Sequence, residues 1–273
     1  MSMDRPSTSA TAPPGRRASV LAVTSGKGGV GKTFVAANLA AALAQRGERV
    51  LVLDADLGLA NLDVVLNLLP KVTLHDVFTG KAALEDAIMD APGGFSVLLA
   101  GSGMVEYSRL TPELRDQLQG VIRTLAPRFD HILLDTGAGI SDVVLYTVSL
   151  ANDVLVVATP EPTSLTDAYA TIKVLAGQQH RRIVNLVVNQ VSRLGEGKAI
   201  RGQLQQVIDR YVSPLLVRDV DGTAESVKLL LQGEIPADPA VREAIQKRQL
   251  LLQMLPGCRA ARAVQAVAEK LAS

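Results

Sequence analysis

A glycine-rich segment at residues 25–33 contains the residue types and spacing with the clearest chemical role. It reads SGKGGVGKT and fits the phosphate-loop pattern G-x-x-x-x-G-K-[ST] at Gly26, Gly31, Lys32 and Thr33. Glycines let backbone N–H groups line an anion-sized cavity, and the following helix directs its positive end there. Lys32 can reach the β- and γ-phosphates of a nucleotide, and the Thr33 hydroxyl can ligate Mg²⁺.

The segments on either side of this loop support the same interpretation. An apolar run at residues 20–23 predicts a buried strand before the loop. After the loop, apolar residues recur on one face of a predicted helix, which Gly47 ends. The alternative is a glycine-rich turn that matches by chance, and such a turn would not need a strand and a helix in this order.

Acidic residues follow two further apolar runs. Residues 49–53 are followed by Asp54 and Asp56, and residues 131–134 by Asp135 and a glycine at 137. Such runs are typical of parallel strands buried on both faces, and ligands bind at the carboxyl ends of these strands. We expect Asp54 and Asp56 to point to opposite sides, one toward the phosphate loop and one toward the γ-phosphate; a solvated turn is the alternative. Asp135 can hold a Mg²⁺-bound water, and the region of Gly137 can sense the γ-phosphate.

An amide side chain ends another predicted strand, at residues 182–189. Asn189 there can recognise the adenine edge through paired hydrogen bonds. A plain turn asparagine is the alternative, which the residues alone leave open.

Composition limits the class of protein. The chain has 273 residues, 28 basic and 27 acidic, with a formal net charge of +1. This balance gives no overall attraction to nucleic acid or to an anionic membrane, although local basic patches remain possible. Cys258 is the single cysteine, so no disulfide or cysteine-based metal site forms within one chain. No apolar run approaches about 18 residues, and we expect a cytoplasmic protein without a membrane-spanning helix.

Alternating strands and helices predict one α/β domain with a doubly wound, mostly parallel sheet and helices on both faces. We expect a disordered tail at residues 1–18 and a single phosphate-loop ATPase domain at residues 19–273. Predicted helices include residues 112–125 with Thr111 as N-cap, a helix after Pro162 with a capping box at Ser164 and Asp167, residues 197–211, and residues 259–271. Further strands are expected at residues 95–100, 153–158 and 228–231. Residues 213–223 could not be assigned.

Several segments resemble a known group of ATPases. Lys27 follows the first loop glycine, and residues 27–33 are similar to the deviant phosphate loop, K-G-G-x-G-K-[ST], of the MinD/ParA group. The segment DADLGLANLD at residues 54–63 is similar to one shared by MinD and the flagellar-number ATPases called FlhG or FleN. DTGAGI at residues 135–140 and EPTSLTDAY at residues 161–169 resemble the FlhG/FleN branch more than MinD or plasmid ParA. The similarity extends from Ser19 to the C-terminus.

The resemblance implies that the chain binds ATP and Mg²⁺ and forms a homodimer with ATP. It implies that Lys27 crosses the dimer to the partner's phosphates, that Asp56 orients the attacking water, and that Asp54 supports the metal region. Asp135 would contact Mg²⁺ through water. A solvated loop cation is the alternative for Lys27.

The resemblance also assigns the nucleotide contacts. It implies that ATP is bound by the loop residues Gly26, Lys27, Gly28, Gly29, Val30, Gly31, Lys32 and Thr33 and by Asp54. Gly28 and Val30 would lie near the dimer seam. Asn189 and the loop containing Pro236 and Asp238 would surround the adenine.

The implied function is a switch that regulates flagellar number or placement, in which slow ATP hydrolysis releases the dimer. Its implied partners are a FlhF-type GTPase and a flagellar transcription activator. A division-site or cargo-positioning ATPase of the MinD/ParA kind is the alternative, and a metabolic or kinase-type enzyme is a third. We expect no strong intrinsic DNA binding and only weak or partner-dependent membrane contact. The D-Q-A-type motif that stimulates the GTPase in some relatives is absent from residues 1–18, which puts that activity in doubt. Residues 250–255 could contact a membrane, but burial is the expectation.

Overall fold

Eight strands form one sheet in the computed structural model, which describes residues 18–58, 61–101, 107, 109–216 and 226–272. The strand order is β3-β4-β2-β5-β1-β6-β7-β8. All neighbouring pairs are parallel except β3 with β4. The bounds are β1 Ser19–Ser25, β2 Val50–Ala55, β3 Ile88–Asp90, β4 Ser96–Leu98, β5 His131–Ala138, β6 Asp153–Ala158, β7 Ile183–Val191 and β8 Lys228–Pro236.

Helices cover both faces of this sheet, as the alternating pattern predicts. Their bounds are α1 Lys32–Gln45, α2 Leu62–Leu66, α3 Leu74–Phe78, α4 Leu84–Ala87, α5 Pro112–Leu125, α6 Asp142–Ser149, α7 Pro162–Gln178, α8 Glu196–Tyr211, α9 Pro239–Gln246, α10 Leu251–Met254 and α11 Arg259–Leu271. One apolar cluster includes α5 to α8, and the other includes α1, α10 and α11. The predicted fold class is therefore confirmed.

The sequence predicted both ends of two helices correctly. Helix α5 begins at Pro112, and the Thr111 hydroxyl accepts the Leu114 N–H at 3.2 Å, as an N-cap does. Helix α11 spans residues 259–271 and buries Val264 and Val267 in the core. Most of the predicted tail lies outside the described residues; Ala18 is already buried and donates its N–H to Ala126.

The predicted capping box at the start of α7 is wrong. The helix begins at Pro162 with Glu161 as N-cap residue, so Ser164 lies inside the first turn. The Ser164 hydroxyl accepts the N–H of Thr159 at 3.0 Å instead. Proline suits the first helical position because its missing N–H needs no partner there. That preference placed the helix start two residues before the predicted serine.

Other elements were longer than predicted or were not predicted at all. Strand β8 continues to Pro236, and α6, α9, α10 and β3 were not predicted as separate elements. Of residues 213–223, the structure describes a short 3₁₀ helix at Ser213–Leu215 and the residue after it. The rest of that segment lies outside the described residues.

The apolar run before the last helix is buried at its start, as expected, whereas Leu255 at its end is 39% exposed. Leu250, Leu251 and Leu252 are at most 1% exposed, and the Leu252 N–H donates to the Asn38 side chain at 3.2 Å. These leucines are therefore not presented to a membrane surface. Among the described residues, no helix is both long and apolar enough to span a bilayer.

Candidate nucleotide site

The phosphate loop joins the end of β1 to the start of α1, and its glycines are required for different reasons. Gly29 and Gly31 have φ of 77° and 95°, a conformation that residues with a Cβ rarely adopt. A Cβ on Gly26 would overlap the backbone of Asp167 in α7. Gly28, by contrast, has open space around it. The loop is therefore packed tightly on one side and open on the other.

The predicted carboxylates meet beside Lys32 because β2 and β5 are neighbours in the sheet. Asp54 and Asp135 are partners in the strand register and are only 1% and 2% exposed. Burial raises the pKa of Asp135 to about 6, against the opposing effects of the Thr33 hydrogen bond and the Lys32 charge. Burial likewise raises the pKa of Asp54 well above its ordinary value, and the charge of Asp135 adds to this. Burial lowers the pKa of Lys32, although Asp135 and Asp56 oppose the change.

The expectation that Asp54 and Asp56 point to opposite sides needs correction. Residues two apart on a strand share a face, so alternation does not separate them. Strand β2 ends at Ala55, and the Asp56 N–H donates to the Asp54 carboxylate at 3.3 Å. The charge of Asp135 raises the pKa of Asp54, and the charge of Asp56 raises the pKa of Asp135. The two differ in burial instead: Asp54 is inside, and Asp56 lines the cavity.

Two buried carboxylate oxygens of this site, Asp54 Oδ2 and Asp135 Oδ1, have no hydrogen-bond partner among the described residues. Unsatisfied buried carboxylates are costly, so a cation with its water shell suits this position. No group of three or more protein carboxylates, histidines or cysteines fit to bind a metal exists among the described residues. Mg²⁺ commonly takes one or two protein ligands and completes its shell with water and phosphate oxygens. Thr33 and Asp135 therefore fit a Mg²⁺ site that forms together with the nucleotide.

A cavity of about 700 Å³ opens over the loop and the carboxylates. Its lining includes Gly28, Gly29, Gly31, Lys32, Thr33, Asp56 and Gly137. A Cβ on Gly137 would lie 3.3 Å from the Asp56 carboxylate, so a glycine at this position avoids a close contact with Asp56. The sequence interpretation assigned no role to Asn61, Tyr107 and Ser141, which also line the cavity. Of these, only Asn61 lies in a segment that the sequence had marked.

A second cavity, of about 420 Å³, continues from the first and shares Gly29, Gly31, Phe34 and Ile245 with it. Asn189, Pro236 and Asp238 line this second cavity, which brings the three predicted adenine residues together. Phe34, to which the sequence analysis assigned no function, is buried between the two cavities. The combined shape suits a phosphate chain in the first cavity and a flat base in the second.

The polar groups of Asn189 and Asp238 are engaged within the protein. The Asn189 amide donates to the Val30 carbonyl at 2.8 Å, and its oxygen accepts the Gln190 N–H at 2.9 Å. Asp238 accepts the N–H of Ala240 at 3.0 Å and caps α9. In this structure Asn189 therefore holds the phosphate loop, and direct recognition of adenine by it stays a prediction.

Lys27 makes its contacts within its own chain. Its Nζ lies 2.7 Å from Glu161 Oε2 and 2.9 Å from the Thr163 hydroxyl, both at the start of α7. The ion pair is exposed, since the Lys27 and Glu161 side chains are 38% and 63% accessible. No pattern in the sequence predicts this pairing.

Comparisons with known proteins identify the family of the chain. Residues 21–251 match the family model for the CobQ/CobB/MinD/ParA nucleotide binding domain. The antiactivator FleN of Pseudomonas aeruginosa is 41% identical over 254 residues, covering 93% of this chain and 86% of FleN. The flagellum site-determining protein YlxH of Helicobacter pylori is 31% identical over 257 residues, 93% of this chain and 81% of YlxH. The septum site-determining protein MinD of Pyrococcus horikoshii, solved with Mg-ADP, superposes with a TM-score of 0.74 at 28% identity, covering 93% of this chain and 96% of MinD.

The chain belongs to the CobQ/CobB/MinD/ParA nucleotide-binding family. It is an ATPase of the MinD/ParA class, and it uses ATP and Mg²⁺. The resemblance drawn from the loop and strand-end motifs is thereby confirmed.

Proposed function

We propose that this ATPase is a nucleotide-dependent dimerising switch that regulates the number or placement of flagella. The observation that carries the proposal is the 41% identity with FleN, which extends over 93% of the chain. The likeness to the flagellum site-determining protein YlxH supports the same assignment.

In this proposal, the residues of the first cavity divide the work of hydrolysis. Lys32 and the loop N–H groups would hold the phosphates, and Thr33 and Asp135 would hold Mg²⁺, whose charge would offset that of the phosphates. Asp56 orients a water whose oxygen attacks the γ-phosphorus. The bond from that phosphorus to the β–γ bridging oxygen breaks, which gives ADP and phosphate. Asp56 suits this role because it is the carboxylate at the cavity wall, whereas Asp54 is fully buried.

The switch requires Lys27 to change partners. It would leave Glu161 and Thr163 and reach the phosphates held by a second copy of the chain. An exposed ion pair contributes only about 0.2–1 kcal/mol, so breaking it costs little. A change from 1:99 to 99:1 in dimer population takes about 5.5 kcal/mol. Charge-assisted hydrogen bonds of about 1.5–3 kcal/mol in each of two sites are of the required size.

The proposed partners are a FlhF-type GTPase and a flagellar transcription activator, which would recognise the ATP-bound dimer. The second candidate function is positioning of the division site or of cargo, favoured by the likeness to septum site-determining MinD over 93% of the chain. DNA-dependent positioning would need strong DNA binding, which the net charge of +1 does not favour.

The test is to count flagella per cell by electron microscopy in the organism that encodes this chain. A deletion strain and a strain with Asp56→Ala are compared with the parent. We expect the deletion to multiply or misplace flagella and the Asp56→Ala strain to change their number again. Unchanged flagella together with misplaced septa or DNA would reject the proposal in favour of the second function.

A further inference from the structure

The open edge of the sheet carries a basic groove that the nucleotide site does not use. Strand β8 is the last strand of the order and pairs with β7 alone among the described strands. A groove of about 490 Å³ runs between β8 and α8. Its lining comprises Lys198, Arg201, Lys228, Leu229, Leu230, Leu231 and Gln232. Two strands, β6 and β7, lie between β8 and the phosphate-loop strand β1.

The backbone of β8 offers hydrogen bonds to a further strand. The Lys228 N–H donates to Arg182 at the start of β7, so the next residue presents its N–H to the open edge. The Gln205 side chain confirms this direction: it accepts the Leu229 N–H at 2.9 Å and donates to the Val227 carbonyl at 2.7 Å. The Gln205 side chain of α8 therefore makes the hydrogen bonds that a neighbouring strand would make at the start of β8. By the same alternation Leu231 also faces outward, and within the described chain nothing pairs with its outward groups.

Three positive side chains lie beside this edge and make no ion pair within the part of the chain that the structure describes. Lys198 and Lys228 are exposed and Arg201 is partly exposed. The nearby acid Glu234 is engaged by the N–H groups of Gly195 and Gly197 at 2.6 and 2.8 Å. Half-buried leucines lie between the cations and can receive apolar side chains.

We propose that β8 is a docking site for an acidic, extended peptide segment of a partner protein, which adds to the sheet as a further strand. Main-chain pairing gives such peptides their affinity, and alternate side chains give specificity. Acidic side chains on the α8 side of the peptide would meet Lys198 and Arg201, and apolar side chains on its other side would cover Leu230. The chain's own residues 1–17 do not fit, because they contain three arginines and a single acid.

The test uses the full chain without nucleotide, so its result does not depend on the proposed switch. The probe is a fluorescent peptide of alternating glutamate and valine, with the same nine-residue length as β8. Its control is the same peptide with every backbone nitrogen methylated, which keeps the charge but removes the N–H donors from both edges, so it cannot pair as a strand. Binding is followed by fluorescence anisotropy, and the exchange of the Leu231 N–H is followed by NMR.

We expect the unmodified peptide to bind and to slow exchange at Leu231, and the methylated peptide to do neither. Lys198→Glu and Arg201→Glu should each weaken binding by about threefold or more, while Lys173→Glu on the exposed face of α7 should not. Equal binding of both peptides, or no binding, overturns the proposal. So does duplex DNA that displaces the peptide and loses affinity in the same two variants. A Leu231 N–H that is equally protected without peptide would mean that this chain already covers the edge, which also overturns it.

Discussion

Lys27 Nζ lies 2.7 Å from Glu161 Oε2, so the lysine of the deviant phosphate loop is paired within its own chain to the start of α7. In the proposed dimer the same lysine must reach the partner's phosphates. The intramolecular pair and the dimer contact therefore compete for one cation.

We predict that Glu161→Gln increases the dimer fraction with ATP, because it removes the charge that competes for Lys27. An exposed pair contributes about 0.2–1 kcal/mol, and each dimer breaks two such pairs, so the dimerisation constant should rise by up to about 30-fold. Light scattering after size exclusion, in an Asp56→Ala background with ATP, measures this fraction. The matched control is Glu243→Gln, which removes another exposed ion pair of 2.7 Å, with Lys247. An equal shift in both variants, or less dimer with Glu161→Gln, would contradict the competition.

We predict that Asp56→Ala binds Mg·ATP and dimerises but hydrolyses ATP about 100-fold or more slowly, because the attacking water loses its orienting carboxylate. Nucleotide binding by fluorescence and phosphate release measure the two properties separately. Asp63→Ala, outside the cavity lining, is the comparison for phosphate release. A monomeric Asp56→Ala protein in saturating ATP would refute the assigned role.

We predict that Gly26→Ala destabilises the chain by about 1–3 kcal/mol and weakens ATP binding, because its Cβ would collide with the Asp167 backbone and displace the loop. Gly28→Ala is the matched control two residues away, where a Cβ meets nothing within 4 Å. Chemical denaturation of both variants without nucleotide tests this difference. Equal stabilities would show that α7 yields to the added methyl group.

We predict that Asp135→Asn stabilises the nucleotide-free chain near neutral pH and weakens Mg·ATP binding. The folded pKa of Asp135 is raised from 3.8 to about 6 by burial. The contribution of protonated Asp135 to the free energy of unfolding is therefore fully present below about pH 4 and is lost as the pH rises through about 6. By about pH 8 this loss amounts to up to about 3 kcal/mol, which the uncharged amide avoids.

Urea unfolding of the two proteins across this pH range, without nucleotide or Mg²⁺, measures the effect. The stability difference should grow from about pH 4 to about pH 7 and then level off. Asp153→Asn, at the exposed carboxylate that begins β6, provides the control for the same substitution at the surface. If the stability difference for Asp135→Asn did not change with pH, burial would not raise the pKa of Asp135 in the folded chain.

Much of the site was determined by the sequence alone, because its signals are local. The spacing of glycines, Lys32 and Thr33 specified the loop, and apolar runs ending in Asp54 and Asp135 specified two buried strands. Apolar runs buried on both faces indicate parallel strands, and the carboxyl ends of parallel strands meet at one edge. The end signals of α5 and α11 were equally local, since a cap acts within one turn.

Only the tertiary structure decided the contacts between distant segments. Lys27 and Glu161 are 134 residues apart, and Asn189 and Val30 are 159 apart. Gly26 lies against Asp167 because α7 packs over the loop, which no periodicity predicts. The sequence restricts each residue to a strand end, a helix start or a loop. Which of these ends meet depends on the order of strands in the sheet, and that order is fixed by packing energies summed over the whole core rather than by any single segment.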